Sequence, residues 1–147
     1  MSEALVKPST FSHGTLECRS LKESRLFYEE FLGLETVRHV EGPVIMARAK
    51  GGGCTVVCVE VGDRVREQRY FNHWGIDVET QEEVDDAHAK AVEFKDKYGL
   101  QKIQDPKMTH GDYSFYFMDR DGNWWEIQCI VENTYDENFA RGDLVPT

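Results

Sequence analysis

Residues 71–80 read FNHWGIDVET, and residues 11–20 read FSHGTLECRS. Each stretch sets a histidine at the head of an alternating, strand-like run. After the first, His13, Thr15 and Glu17 fall on one face and Gly14, Leu16 and Cys18 on the other. After the second, His73, Gly75 and Asp77 share a face, opposite Trp74, Ile76 and Val78. Seven residues beyond each histidine stands a capping-box signal, Ser20-Leu21-Lys22-Glu23 and Thr80-Gln81-Glu82-Glu83. Capping boxes are common singly. Two at one offset from two histidines indicate a repeat.

The rest of the chain follows the same frame. Leu21, Ser24, Phe27, Tyr28, Phe31 and Leu32 recur at helical spacing, and Gly33 ends that helix. Strands are expected at Thr36–Val40, Val44–Arg48 and Thr55–Val61, with a turn at Gly51-Gly52-Gly53. In the second half a helix is expected from Glu82 to about Lys97, ending at Gly99. Strands follow at Lys102–Gln104, Tyr113–Met118 and Asn123–Ile130, the last two joined by the turn Asp119-Arg120-Asp121-Gly122. The pattern is βαβββ written twice: module one at about 11–61, module two at about 71–131, a charged linker between, and a polar tail over 132–147. The fold class is α+β.

Bulk properties narrow the function. The chain has 147 residues, enough for one compact domain or two half-domains sharing a core. A net charge of −10 argues against nucleic acid and against an anionic membrane surface as partners. No apolar run approaches the roughly 18 residues needed to span a bilayer, and the first residues carry no signal-peptide core, so a cytoplasmic location is expected. The cysteines, Cys18, Cys54, Cys58 and Cys129, contain no C-x-x-C. Cys54 and Cys58 are spaced for one strand face, either as a zinc pair or, the stronger reading, as small core side chains. His39 and His88 read as exposed, His88 on the polar face of the second helix.

A third residue joins the two histidines. In Asn123–Cys129, Trp124, Glu126 and Gln128 share a face, opposite Trp125, Ile127 and Cys129. A carboxylate in so aromatic a strand needs a partner, either an arginine or a metal ion. Two histidines and one carboxylate form the set that holds Fe(II) or a similar metal by one face.

Three quoted segments carry a family resemblance: FSHGTLECRSLKESRLFYEEFLGLE (11–35), FNHWGIDVE (71–79) and YSFYFMDRDGNWWEIQ (113–128). With their F-Y-x-x-x-L-G-L and F-Y-F-x-D-x-D-G-x-x-x-E patterns, they resemble the vicinal oxygen chelate superfamily. That superfamily includes glyoxalase I, fosfomycin resistance thiol transferases, bleomycin-binding proteins and type I extradiol dioxygenases. The resemblance implies a glyoxalase-like fold, with paired βαβββ modules whose curved sheets surround a divalent metal. It implies His13, His73 and Glu126 as ligands and a homodimer as the assembly, with ligands drawn from one chain or shared between two.

The resemblance also implies a role for Tyr116, ten residues before Glu126, where relatives present a tyrosine to substrate. A hairpin centred on Asp121 sets Tyr116 opposite Glu126 on one face. A core tyrosine is the competing reading. In module one the position matching Glu126 falls on Val57, or on Thr55 if the turn aligns differently. Neither is a good ligand, unlike glyoxalase I, which uses four. Three open metal positions suit a chelating substrate plus dioxygen. The expected function is therefore an Fe(II) extradiol-type dioxygenase, with Mn(II) as the other metal choice and a small aromatic or otherwise chelating substrate. The alternatives are a metal-dependent lyase, isomerase or thiol transferase, or a metal-free drug-binding protein. Extradiol enzymes carry two further histidines whose matching positions here are Cys54 and Lys107. His110, near the second, reads either as an acid/base group or as a surface loop residue, the latter slightly preferred. Thr15 matches a substrate contact of the fosfomycin enzymes, but the loop Lys107–Tyr113 lacks their potassium-binding pattern.

Overall fold

The computed structural model describes residues 5–145, so the last two positions of the 132–147 tail lie outside the described residues. The chain divides into two compact units, Met1–Arg66 and Glu67–Thr147. Each is a four-stranded mixed sheet with helices, an α+β glyoxalase-like module, and the two modules follow one another along the chain.

In the first unit, β1 (His13–Cys18), α1 (Leu21–Leu26), β2 (Glu35–Val37), β3 (Val44–Arg48) and β4 (Thr55–Glu60) build a sheet ordered β1-β4-β3-β2. β1 runs parallel to β4, with His13 opposite Thr55 and Thr15 opposite Val57. The expected single helix to Leu32 is instead an α-turn followed by a π-turn over Phe27–Phe31, closed by the Leu32 amide on the Phe27 carbonyl at 3.1 Å. The wider turn stacks Phe27 on Phe31, at 5.6 Å between centroids, while Ser24, Phe27 and Tyr28 are buried. The Ser20 hydroxyl accepts from the Glu23 amide as the N-cap.

In the second unit, β5 (His73–Asp77), α2 (Gln81–Glu93), α3 (Lys95–Tyr98), β6 (Lys107–Thr109), β7 (Asp112–Met118) and β8 (Trp124–Ile130) give the order β5-β8-β7-β6. Thr80 and Glu83 form the full reciprocal capping box of α2. The expected helix to Lys97 breaks at Phe94 into α2 and α3, and Gly99, at φ 66°, is its left-handed cap. Phe115, Phe117, Trp125, Val84, Ala91 and Leu100 are buried in this unit.

Two further expectations need correction. The strand expected at Lys102–Gln104 lies at Lys107–Thr109, because Lys102 has a left-handed backbone (φ 48°) that breaks the ladder between an isolated Gln101–Met118 bridge and the Gln104 amide on the Tyr116 carbonyl at 2.8 Å. A two-residue turn, His110-Gly111, with both φ angles positive, then pairs β6 to β7. His88 is not on an exposed polar face: its side chain is 21% exposed and its ring meets Phe115 edge-on at 5.2 Å. The polar tail, for which no element was expected, carries α4 (Tyr135–Arg141) behind a second reciprocal capping box, Thr134 with Glu137.

The Asp119–Gly122 turn explains one motif. The buried Asp119 carboxylate accepts from the amides of Asp121 (2.8 Å) and Asn123 (3.0 Å), from Asn123 Nδ2 (3.1 Å) and from Trp125 Nε1 (3.0 Å). Gly122 has φ 85°, and a Cβ there would stand 2.8 Å from the Glu67 Cα, so both conformation and space demand glycine.

Candidate metal centre

Pairing in the second sheet puts the candidate residues on one face. His73 lies opposite Trp124, Gly75 opposite Glu126, and Asp77 opposite Gln128. On the other side of β8, Met118, Tyr116 and Ser114 stand opposite Trp124, Glu126 and Gln128. Glu126 is therefore flanked by Tyr116, as the hairpin argument expected, and is diagonal to His73.

The His73 ring is held by its backbone. Its Nδ1 lies 3.0 Å from the Tyr70 carbonyl oxygen, which can only accept, so Nδ1 carries the proton. Nε2 then faces Glu126 Oε2 at 3.3 Å. In a neutral ring both atoms are lone-pair acceptors, and Glu126 is only 7% exposed. A cation must close this gap, either a proton on Nε2 or a metal ion. The donor set thus fits a divalent metal. Within the second unit, no third His, Cys, Asp or Glu among the described residues joins the pair to make a three-ligand set.

His13 occupies in the first sheet the place of His73 in the second, at the head of the strand that runs parallel to the last one. Its Nδ1 is also engaged, 2.8 Å from Ser12 Oγ, and its side chain is exposed. Gly75 faces Glu126 two residues after His73, while Thr15 faces Val57 two residues after His13. The register thus selects Val57, not Thr55, as the counterpart of Glu126, so the first sheet supplies no matching carboxylate. A cavity of about 580 Å³ opens on the His13 face of this unit, where Val37, Met46, Arg48 and Thr55 line it. That is the size of a small-molecule pocket.

Tyr116 is 8% exposed. Burial first, then the hydrogen bond to Glu126 and the charge of that carboxylate, push its hydroxyl well above the usual tyrosine range. It is a neutral donor at any working pH. Around it sits an aromatic group that sequence reasoning missed. The Tyr70 ring lies 4.8 Å from Tyr116 and 5.3 Å from Trp124, and the His73 ring meets Tyr116 edge-on at 5.0 Å. Tyr70 precedes the strand, outside any alternation, so no periodic signal marked it. Lys102, ion-paired with Glu67, places its Nζ 5.8 Å from the Trp124 ring centroid.

The remaining candidates are placed as follows. His110 is exposed, at the first corner of the β6–β7 turn with φ 57°. Lys107 is exposed opposite Ser114 on β6. Cys54 is exposed just before β4, while Cys58 is buried, so the two do not pair. Asp112 is raised above the usual carboxylate range, chiefly by burial and then by the charges of Glu126 and Asp77.

A family model described as Glyoxalase/Bleomycin resistance protein/Dioxygenase superfamily matches residues 10–127. Several solved structures share the fold. A genomically encoded fosfomycin resistance protein from Listeria monocytogenes is 22% identical, with a TM-score of 0.69, over 89% of this chain and 98% of that one. A possible glyoxalase from Bacillus cereus is 21% identical, with a TM-score of 0.66, over 83% of this chain and 100% of that one. A lactoylglutathione lyase from Agrobacterium tumefaciens is 19% identical, with a TM-score of 0.61, over 83% and 94%. No curated protein matches by sequence. No helix among the described residues is long and apolar enough to cross a membrane.

Proposed function

Because the chain belongs to the Glyoxalase/Bleomycin resistance protein/Dioxygenase superfamily, we propose that it is a mononuclear metal-dependent enzyme of the extradiol dioxygenase type. His13, His73 and Glu126 are the metal ligands in this reading, Fe(II) is the metal, and Mn(II) is the next choice. The observation that carries it is the His73–Glu126 pair, two acceptor atoms at 3.3 Å with the other ring nitrogen committed to a carbonyl. The valine at the position matching Glu126 supports a three-ligand site, which leaves room for a chelating substrate. His13 serves from the same chain or from a second copy, and a homodimer is part of the proposal.

A bound Fe(II) supplies the electron-transfer chemistry toward dioxygen. The chain's own residues do the rest. Tyr116, a neutral donor already bonded to Glu126, turns its hydroxyl to a substrate oxygen. Tyr70 and Trp124 offer ring faces for a planar substrate and exclude water. His110 sits at a turn corner, so its position is assigned to hairpin geometry and proton handling to Tyr116. The second reading keeps the ligands and uses the metal as a Lewis acid in a lyase, isomerase or transferase reaction. Thr15, exposed beside His13 on the metal-ligand face, favours it, because it offers a hydroxyl to substrate.

The test is elemental analysis of anaerobically purified protein, followed by oxygen uptake with simple catechols. One iron per chain and catechol-dependent uptake support the dioxygenase. Stoichiometric metal without uptake moves the function to Lewis-acid chemistry. No bound metal in protein offered iron, manganese, nickel and zinc overturns both and leaves a ligand-binding protein.

A further inference from the structure

Beyond Glu126, the same face of the second sheet carries a complete polar row. Lys107 on β6, Ser114 on β7, Gln128 on β8 and Asp77 on β5 stand in register across all four strands. Gln128 Nε2 donates to Asp77 Oδ1 at 2.7 Å and to the Tyr135 hydroxyl of α4 at 2.8 Å. Both amide protons are thereby used. The second Asp77 oxygen lies on an exposed side chain and remains able to accept.

The unexplained group is Ser114. Its side chain is 1% exposed, and its Oγ has no hydrogen-bond partner. A buried hydroxyl left unpaired keeps its desolvation penalty with nothing to offset it. Alternation puts it on the face of Tyr116, and its register partner is Gln128, so it points into this row. Buried polar groups in native structures are nearly always partnered, so an orphan calls for a reason, and a ligand group that completes it is one.

The charge around it is mainly negative. Asp77, Asp112 and Glu126 stand on this face, and Glu132 lies against the adjoining turn at Gly111. Lys107, the register partner of Ser114 on the edge strand β6, is the cation of the row; its side chain is exposed, and it stands three strands from Asp77, about 14 Å at sheet spacing. His110 occupies the turn next to Asp112. A divalent metal at His73 and Glu126 offsets Glu126 and leaves Asp77 and Asp112. Lys107 can meet an anionic arm only at the β6 edge of the row; toward β8 and β5 such an arm meets Glu126 and Asp77, whereas an ammonium finds carboxylate and hydroxyl acceptors.

We propose that the Ser114–Gln128–Asp77 row is a subsite for a cationic, amine-bearing arm of the substrate, selecting it over carboxylate and phosphonate arms. It rests on the metal-centre reading for where the reacting end lies, not for its own chemistry. The row is two residues along the strand from Glu126, about 7 Å. That matches the reach of an aminoethyl arm on an aromatic ring.

The test uses three probes of one size, 2-phenylethylammonium, 2-phenylethanol and phenylacetate, titrated into the metal-free full chain and followed by amide NMR. The ammonium shifts the amides of Ser114, Gln128 and Asp77 and binds about tenfold or more tighter than phenylacetate. Asp77→Asn keeps the Gln128 contact and brings that ratio near one. Ser114→Ala weakens the ammonium and the alcohol alike, by about threefold or more. Equal binding of the three probes, no shift at these amides, or a preference that survives Asp77→Asn overturns the subsite. Mn(II) is then titrated into the same samples. Absence of broadening at His73 and Glu126 counts against the metal centre alone, so the two failures are read separately.

Discussion

His73 Nε2 and Glu126 Oε2 meet diagonally across the parallel pair β5–β8, 3.3 Å apart, although His73 pairs in register with Trp124. The diagonal works because Gly75, the register partner of Glu126, has no side chain to fill the space between them. A glycine in mid-strand weakens a sheet, and here it leaves open the place where the proposed metal would join the two side chains. Gly75→Val would fill it.

Metal retention follows from that pair. His73→Ala and Glu126→Gln each lower metal affinity by at least about 100-fold, since even outer partners of ligands are worth 10–100-fold. Neither variant loses the fold, because neither residue belongs to the Phe115–Trp125 core. The check is metal content by elemental analysis with far-UV dichroism on the same samples. Full metal content in Glu126→Gln would remove Glu126 from the ligand set.

Tyr116 separates binding from turnover. Tyr116→Phe retains the ring that packs on Tyr70 and His73 and deletes only the hydroxyl on Glu126. Metal content stays at the wild-type level. Turnover of the best substrate falls by about 10²–10³, the range of a lost proton-handling group. A Tyr116→Phe enzyme with unchanged kcat would make Tyr116 a packing residue.

Much of this site was legible because β-structure has a period of two. His73, Gly75 and Asp77, or Trp124, Glu126 and Gln128, announce their common face by spacing alone, and a turn at Asp121 sets Tyr116 against Glu126. What escaped lies outside periodic segments. Tyr70 acts through its carbonyl and its ring from a loop. The β6 strand is placed by the left-handed His110-Gly111 turn and by the break at Lys102, which no apolar pattern marks. α4 was signalled by Thr134-Tyr135-Asp136-Glu137, a capping box read twice elsewhere in the chain. It lacks the apolar stripe that accompanies the other two: Phe139 is 87% exposed.

Asp119 predicts stability rather than activity. Asp119→Ala strands the Trp125 indole N–H and two backbone amides in a buried turn, and costs about 3–5 kcal/mol. Burial holds the carboxyl above its usual range, against the pull of Trp125 and Asn123. The native state therefore keeps this proton to higher pH than the unfolded chain does. The contribution of the group is fully present below the unfolded carboxylate value, about 3.9, and declines as pH rises through the native one. The advantage of wild type over Asp119→Asn should shrink in that direction. Urea unfolding of both proteins at several pH values measures it.

The tail helix hangs on few contacts. Thr134→Ala removes the hydroxyl that accepts from the Glu137 amide at 3.3 Å, and costs α4 about 1 kcal/mol. Tyr135→Phe removes the bond from Gln128. Hydrogen exchange over residues 135–141 should rise in both variants, while exchange in β7 and β8 stays near wild type. A simultaneous rise in β8 would show that α4 is a structural part of the sheet and not an appendage.

His110 discriminates a turn residue from an acid. Its backbone sits at φ 57° and that of Gly111 at φ 92°, the two positive angles of a tight hairpin turn. Asparagine tolerates that conformation better than any residue except glycine, whereas a β-branched side chain does not. His110→Asn should therefore leave unfolding midpoint and kcat within about twofold of wild type, while His110→Val loses about 1–2 kcal/mol through backbone strain. The turn reading makes stability track the left-handed propensity of the new residue and leaves turnover indifferent. An acid/base role produces the opposite pattern, with His110→Asn fully stable and turnover reduced by 10²-fold or so. Thermal unfolding and steady-state rates on the two variants decide between them.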